Sequence, residues 1–117
     1  MNFIGISGRL IKAPELKHVG EYKVASFALS VNRNNGKKDD KGYPESDLFN
    51  VEIWGKRGEA IAQHAEKGTL IEVTGRMESR KHEDKTYWTL KADNWNFAGP
   101  KQGGQEGGGY DADTIPF

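Results

Sequence analysis

Five short stretches of this chain alternate apolar and polar residues with a period of two. A single Ala-rich stretch of helical period falls between the third and the fourth. Period two puts successive side chains on opposite faces of a strand. In NFIGISGRLI, Ile4, Ile6 and Leu10 share one face, with Gly8 among them. In YKVASFALSVNR, Ala25, Phe27, Leu29 and Val31 oppose Val24, Ser26, Ala28 and Ser30. In SDLFNVEIWGK, Phe49, Val51 and Ile53 oppose Leu48, Asn50, Glu52 and Trp54. Trp54 is thereby expected on the polar face rather than in the core.

RGEAIAQHAEKG places Ile61 and Ala65 four residues apart and ends in Gly68, a helix with a glycine stop. TLIEVTGRMESR alternates again, with Ile71, Val73 and Met77 inward and Glu72, Thr74 and Arg76 outward. HEDK reads as a turn. In TYWTLKADNWNF, Trp88 shares the phase of Leu90 and Ala92 and is expected in the core; Tyr87 is the surface candidate. NNGKKDDKGYPES has no periodicity and reads as a long, mobile, exposed loop.

The order β-β-β-α-β-β predicts an all-β fold: a five-stranded Greek-key barrel of OB-fold type, with one short helix between strands 3 and 4. Closure removes the edges that an open five-stranded sheet would expose. An open split sheet with one packed helix is the structural alternative.

Composition narrows the class. The 117 residues hold no Cys, so disulfides and thiolate metal sites are excluded. No apolar run approaches the roughly 18 residues of a membrane span, and MNFIGISGRL is not built like a signal peptide. An intracellular, cytoplasmic protein is expected. Net charge is zero but unevenly placed: residues 1–98 hold 16 Lys and Arg against 14 Asp and Glu, while the remainder carries a surplus of two negative charges. His18, His64 and His82 form no metal-binding spacing, GKRGEA is not a phosphate loop, and no nucleophile elbow occurs. No enzyme activity, metal or cofactor is expected.

Single-stranded nucleic acid requires flat side chains for bases and cations along the phosphates. Trp54 and Tyr87 are the flat candidates. Arg33, Lys56, Arg57, Arg76, Arg80 and Lys81 are the cations at strand ends and outward faces. Trp95, followed by Phe97, reads as packing.

The segments GRLIKAPEL (8–16), VASFALSVNR (24–33), FNVEIWGK (49–56), AEKGTLIEVTGRMESRK (65–81), KADNWNF (91–97) and DADTIPF occur in the order and spacing of a known family. The chain resembles the bacterial and phage single-stranded DNA-binding proteins. The resemblance implies a homotetramer of OB-folds that protects single-stranded DNA in replication, recombination and repair, in a bacterial cytoplasm or that of a phage host. It implies base stacking by Trp54 and phosphate contacts by Arg33, Lys56, Arg76, Arg80 and Lys81. Leu48 and His82 fall where the family often has aromatic residues; each is expected to pack on a base less well than Trp. Asn35 departs in the same way.

Residues 1–98 are thus expected to form the DNA-binding domain and the Gly-rich 99–110 a disordered linker. The acidic tip 111–117 is expected to dock on partner proteins through Asp111, Asp113, Ile115, Pro116 and Phe117, as the family ending implies. An RNA-binding OB-fold and a protein-interaction module are the rival readings.

Overall fold

A computed structural model describes residues 1–99. Among them lie β1 (Ile4–Leu10), β2 (Glu15–Val19), β3 (Tyr22–Asn32), β4 (Ser46–Trp54), α1 (Lys56–His64), β5 (Leu70–His82) and β6 (Lys85–Phe97). The strand that alternation did not reveal is β2. All five residues of ELKHV are exposed, so no contrast between apolar and polar positions marks it.

This extra strand does not add a wall to the barrel. Arg9 and Leu10 of β1 face Ser30 and Leu29, and Glu15–Val19 of β2 continue along the same edge of β3, facing Ser26 back to Tyr22. Four residues, 11–14, stand opposite two, Phe27 and Ala28, so β1 and β2 form one wall broken by a bulge. Pro14, which lacks an N–H, sits in the break. The walls then run β1-β5-β6-β4-β3, and β3 returns to β1. The five-walled barrel expected from the sequence is formed, and the helix follows its third wall, β4.

Closure depends on two glycines. A Cβ on Gly8 would lie 2.7 Å from the Ser30 carbonyl oxygen, where β1 crosses β3. A Cβ on Gly75 would lie 2.1 Å from the Lys91 carbonyl oxygen. Gly75 adjoins the irregularity in the β5–β6 register, where Thr74 faces Asn94 but Gly75 faces Ala92, leaving Asp93 as the extra residue. The bulge shifts the inward phase of β6 from Leu90 and Ala92 to Trp95, which faces Val73. Thr74 Oγ1 donates to Asp93 Oδ1 at 3.2 Å and secures it.

The core contains Leu10, Ala25, Phe27, Leu29, Val51, Ile53, Ile71, Val73 and Leu90, with Ile61 and Ala65 joining it from α1 and the residue after it. Ile4, Ile6, Met77, Ala92 and Trp95 pack against this cluster. Trp95 also donates its indole N–H to the Arg57 carbonyl at 3.1 Å and meets Phe97 edge-on, as a packing residue should. The helix is a turn shorter than its composition suggested. Ala65 turns to extended backbone, and Gly68, at φ 88°, lies beyond the helix and donates to the Leu10 carbonyl at 2.8 Å.

Two peripheral segments shape the surface. Residues 33–45 contain a network of backbone hydrogen bonds: Arg33 N–H to Glu45 carbonyl (2.9 Å), Glu45 N–H to Lys37 carbonyl (3.1 Å), and a bridge between Lys38 and Pro44. The β5–β6 hairpin projects from the barrel. β1 pairs with β5 only as far as Gly75, and β4 pairs with β6 only at residues 90–92. Residues 79–88 are all exposed on this two-stranded ribbon, whose turn residues Glu83 and Asp84 both have positive φ. Trp88 is therefore not in the core: it is 56% exposed. Its phase matches Leu90, but a ribbon beyond the barrel has solvent on both faces. Apart from Gly99, the linker 99–110 and the tip 111–117 lie outside the described residues.

Candidate nucleic-acid interface

The face of the barrel turned away from the core carries rows of side chains set by the strand register. Ser26 of β3 faces Glu52 of β4; Glu52 faces Lys91 of β6; Lys91 faces Arg76 of β5. A second row runs through Ala28 and Asn50. On the ribbon, Thr89 faces Glu78 and Tyr87 faces Arg80. Ser26 and Ala28 are small, so the β3 part of the surface lies low. A groove of about 340 Å³ forms there, bounded by Lys12 and Ala13 at the broken wall and by Arg80 and Tyr87 on the ribbon.

Trp54 stands at the end of β4 on this face, as its phase predicts. It is 41% exposed, and the Lys91 ammonium lies 5.9 Å from its ring centroid. Lys91 also pairs with Glu52. A half-open indole beside a cation can take a base on its free side while the ammonium approaches a phosphate. Lys91 was not singled out in the sequence. Its register opposite Glu52 across a parallel strand pair is a non-local fact. Leu48, 64% exposed, lies on the same face opposite Ser30.

The candidate cations divide into two groups. Arg33 grips Asp47 with two nitrogens, Nη2 to Oδ1 at 2.7 Å and Nε to both oxygens at 3.1 Å, and lies 3.6 Å from Glu45. Hydrogen bonding from Arg33 holds the Asp47 carboxyl below the ordinary aspartate range, against a smaller opposing effect of partial desolvation. The same hydrogen bonds, with the attraction of Asp47, raise the Arg33 guanidinium. Arg76 pairs with Glu78 on its own strand. By contrast Lys56, Arg80 and Lys81 have no ion pair among the described residues.

The predicted residues are not all brought together. Trp54, Arg76, Tyr87, Arg80 and Leu48 share the outward face. Lys56 begins α1 and lines a separate groove of about 380 Å³ with Arg57, Trp95 and Phe97. Lys81 lies on the opposite face of the ribbon from Arg80. His82 is at the ribbon end, 3.5 Å from Glu83. Asn35 is occupied in its loop, donating to Glu45 Oε1 at 3.2 Å and accepting from the Lys37 N–H at 2.9 Å. An exposed aromatic is nonetheless present there: Tyr43, in a loop with Lys37, Lys38 and Lys41. An aromatic among lysines was the signal for it. Among the described residues, no group of acidic, His or Cys side chains could hold a metal ion, and no helix is long and apolar enough to cross a membrane.

A closed five-walled barrel with one helix after its third wall is an OB-fold. The chain belongs to the single-strand binding protein family, whose sequence model matches residues 1–93. It is 39% identical over 85 residues to single-stranded DNA-binding protein 1 of Lactococcus lactis, covering 72% of this chain and 55% of that protein. It is 36% identical to the single-stranded DNA-binding protein of Bacillus cereus, over 91% of this chain and 65% of that one. With that of Streptococcus pneumoniae serotype 4 it shares 34% identity over 100% of this chain and 79% of the relative. The chain thus spans about half the length of several relatives it matches. A solved structure of the SSB domain of a Synechococcus protein superposes with a TM-score of 0.65 at 13% identity, covering 81% of this chain and 93% of that one, a likeness of fold.

Proposed function

We propose that this chain binds single-stranded DNA with little preference for sequence, using the outward face of the barrel and the ribbon. The observation that carries the reading is Trp54, an exposed ring on a polar face with a lysine ammonium beside it. Stacking on such a ring is worth about 1–3 kcal/mol per base and does not discriminate bases, because every base has a flat face. Tyr87, Leu48 and His82 add weaker surfaces of the same kind. Among the expected cations Arg80 is the unpaired one on the outward face; Lys56 and Lys81, also without an ion pair among the described residues, lie on other surfaces and serve a strand that extends beyond that face. Arg33 and Arg76 join only when a phosphate displaces Asp47 or Glu78.

Roles in replication, recombination and repair, and assembly as a homotetramer in a bacterial or phage-host cytoplasm, follow from the reading as further proposals. The tip residues Asp111, Asp113, Ile115, Pro116 and Phe117 are proposed to recruit partner proteins, the acidic pair steering the apolar residues to a basic groove.

A salt titration of binding to poly(dT), poly(U) and duplex DNA tests the reading, using the full chain and one lacking residues 111–117. Binding tightest on poly(dT) and weakest on duplex is expected, with a log–log slope of about −2 if roughly three phosphates are neutralised. Removal of the tip is expected to leave DNA binding intact or slightly tighter, and to abolish capture of partner proteins. Absence of binding at low salt contradicts the reading and favours a protein-interaction module. Preference for poly(U) favours an RNA-binding protein. Loss of DNA binding on tip removal contradicts the separation of roles.

A further inference from the structure

The ribbon presents an aromatic ring on each of its two faces. Tyr87 and Trp88 are adjacent in β6, so their side chains leave opposite sides of the strand. Tyr87 faces Arg80 across the ribbon, on the side that bounds the groove. Trp88 faces Ser79 on the reverse side, where Lys81 faces Thr86. Lys81 and, on the barrel side, Met77 are therefore the diagonal neighbours of Trp88 on that face.

Nothing within the described residues explains Trp88 as packing. It is 56% exposed and has no ring or cation contact there, and Lys81 has no ion pair. The edge of β5 is covered only as far as Met77, whose N–H and carbonyl are both held by the Asn2 side chain, at 3.0 and 2.8 Å. Beyond that point, residues 79–88 of the ribbon are all exposed. On the reverse face the ring is flanked toward the ribbon's free end by Thr86 and Lys81, and toward the barrel by Leu90 and Met77, with Ser79 opposite. On its free-end side the exposed ring has a hydroxyl residue and a cation beside it, the chemistry of a base platform with a phosphate contact.

We infer that a single strand longer than the groove passes around the ribbon and contacts both faces: Tyr87 and Arg80 first, then Trp88 and Lys81. The inference rests on the proposed single-strand reading and extends it to a second subsite. Glu83 and Asp84 close the tip, so the path crosses the edge of the ribbon below them rather than the tip itself. The outward face alone serves a short oligonucleotide, and the reverse face is reached only by a longer one.

The test compares oligo(dT) of about 8 and about 30 nucleotides, lengths chosen around the span of one OB-fold. The intact chain, Trp88→Ala, Trp88→Phe and Trp54→Ala are measured, with native mass recorded for each. Trp88→Ala is expected to weaken binding of the long oligonucleotide by about 5-fold or more, one stacked base, while leaving the short one within about 2-fold. Trp88→Phe should restore most of the loss, and Trp54→Ala should weaken both lengths. Unchanged affinity of Trp88→Ala for the long oligonucleotide overturns the second subsite, as does equal loss on both lengths. A loss that appears only together with a changed native mass also overturns it and makes Trp88 a contact between copies. If the intact chain binds neither length, the single-strand reading itself fails and the subsite with it. If it binds both and Trp88→Ala behaves like it, only the subsite fails.

Discussion

Arg33 shows how far a residue's role depends on its neighbours. By position it is a cation for phosphates; in the fold its charge is already answered by Asp47 and, more distantly, by Glu45. Its raised and Asp47's lowered proton affinities bracket the pair. The depressed Asp47 carboxyl contributes above the ordinary aspartate range, and the contribution is lost as pH falls through the lowered value. The raised Arg33 contributes throughout the working range and is lost only above the ordinary arginine value. Across neutral pH the pair is closed, and a phosphate must compete with it. Asp47→Asn combined with Glu45→Gln should free Arg33, tighten binding of oligo(dT) and steepen the salt dependence by about 0.7 for the added contact. A slope that stays the same or becomes shallower shows that Arg33 does not meet the strand. No spacing in the sequence reveals this pairing, because Arg33 and Asp47 are brought together by the β3–β4 register. Trp54 was legible for the opposite reason. Its exposure follows from local alternation in one strand that is buried on one side only.

At the level of elements, alternation works where a strand has one buried face and fails where it has none or two exposed ones. β4 was read residue by residue. β2 was invisible because all of it is exposed, and Trp88 was misplaced because the ribbon outruns the barrel. The bulge at Asp93 is a related case: it changes which β6 residues point inward, and only the pairing with β5 shows it. Gly75 is what the bulge requires. A methyl group there meets the Lys91 carbonyl oxygen at 2.1 Å and the Ala92 Cα at 2.7 Å, both backbone atoms that can yield only if β5 and β6 separate. Gly75→Ala should therefore lower stability by about 1–3 kcal/mol or more, read as a reduced urea midpoint. A midpoint equal to that of the unaltered chain contradicts the close approach.

For the whole molecule, the order of strands and the position of the helix fixed the barrel from sequence, since few arrangements close five short walls with one helix after the third. The candidate site was less legible. It is assembled from β3, β4, β5 and β6 and from the broken first wall, and its rows depend on pairings far apart in the chain. The slight positive surplus of residues 1–98 and the negative surplus beyond them are compatible with the proposed division between strand binding and partner docking. The proposed strand binding has Trp54 at its centre, and replacing this ring tests it most directly. Trp54→Ala should bind oligo(dT) about 5- to 100-fold more weakly and show less quenching of the remaining tryptophan fluorescence, with the barrel intact because the ring lies outside the core. Affinity and quenching equal to those of the unaltered chain would contradict the placement of the strand on the outward face.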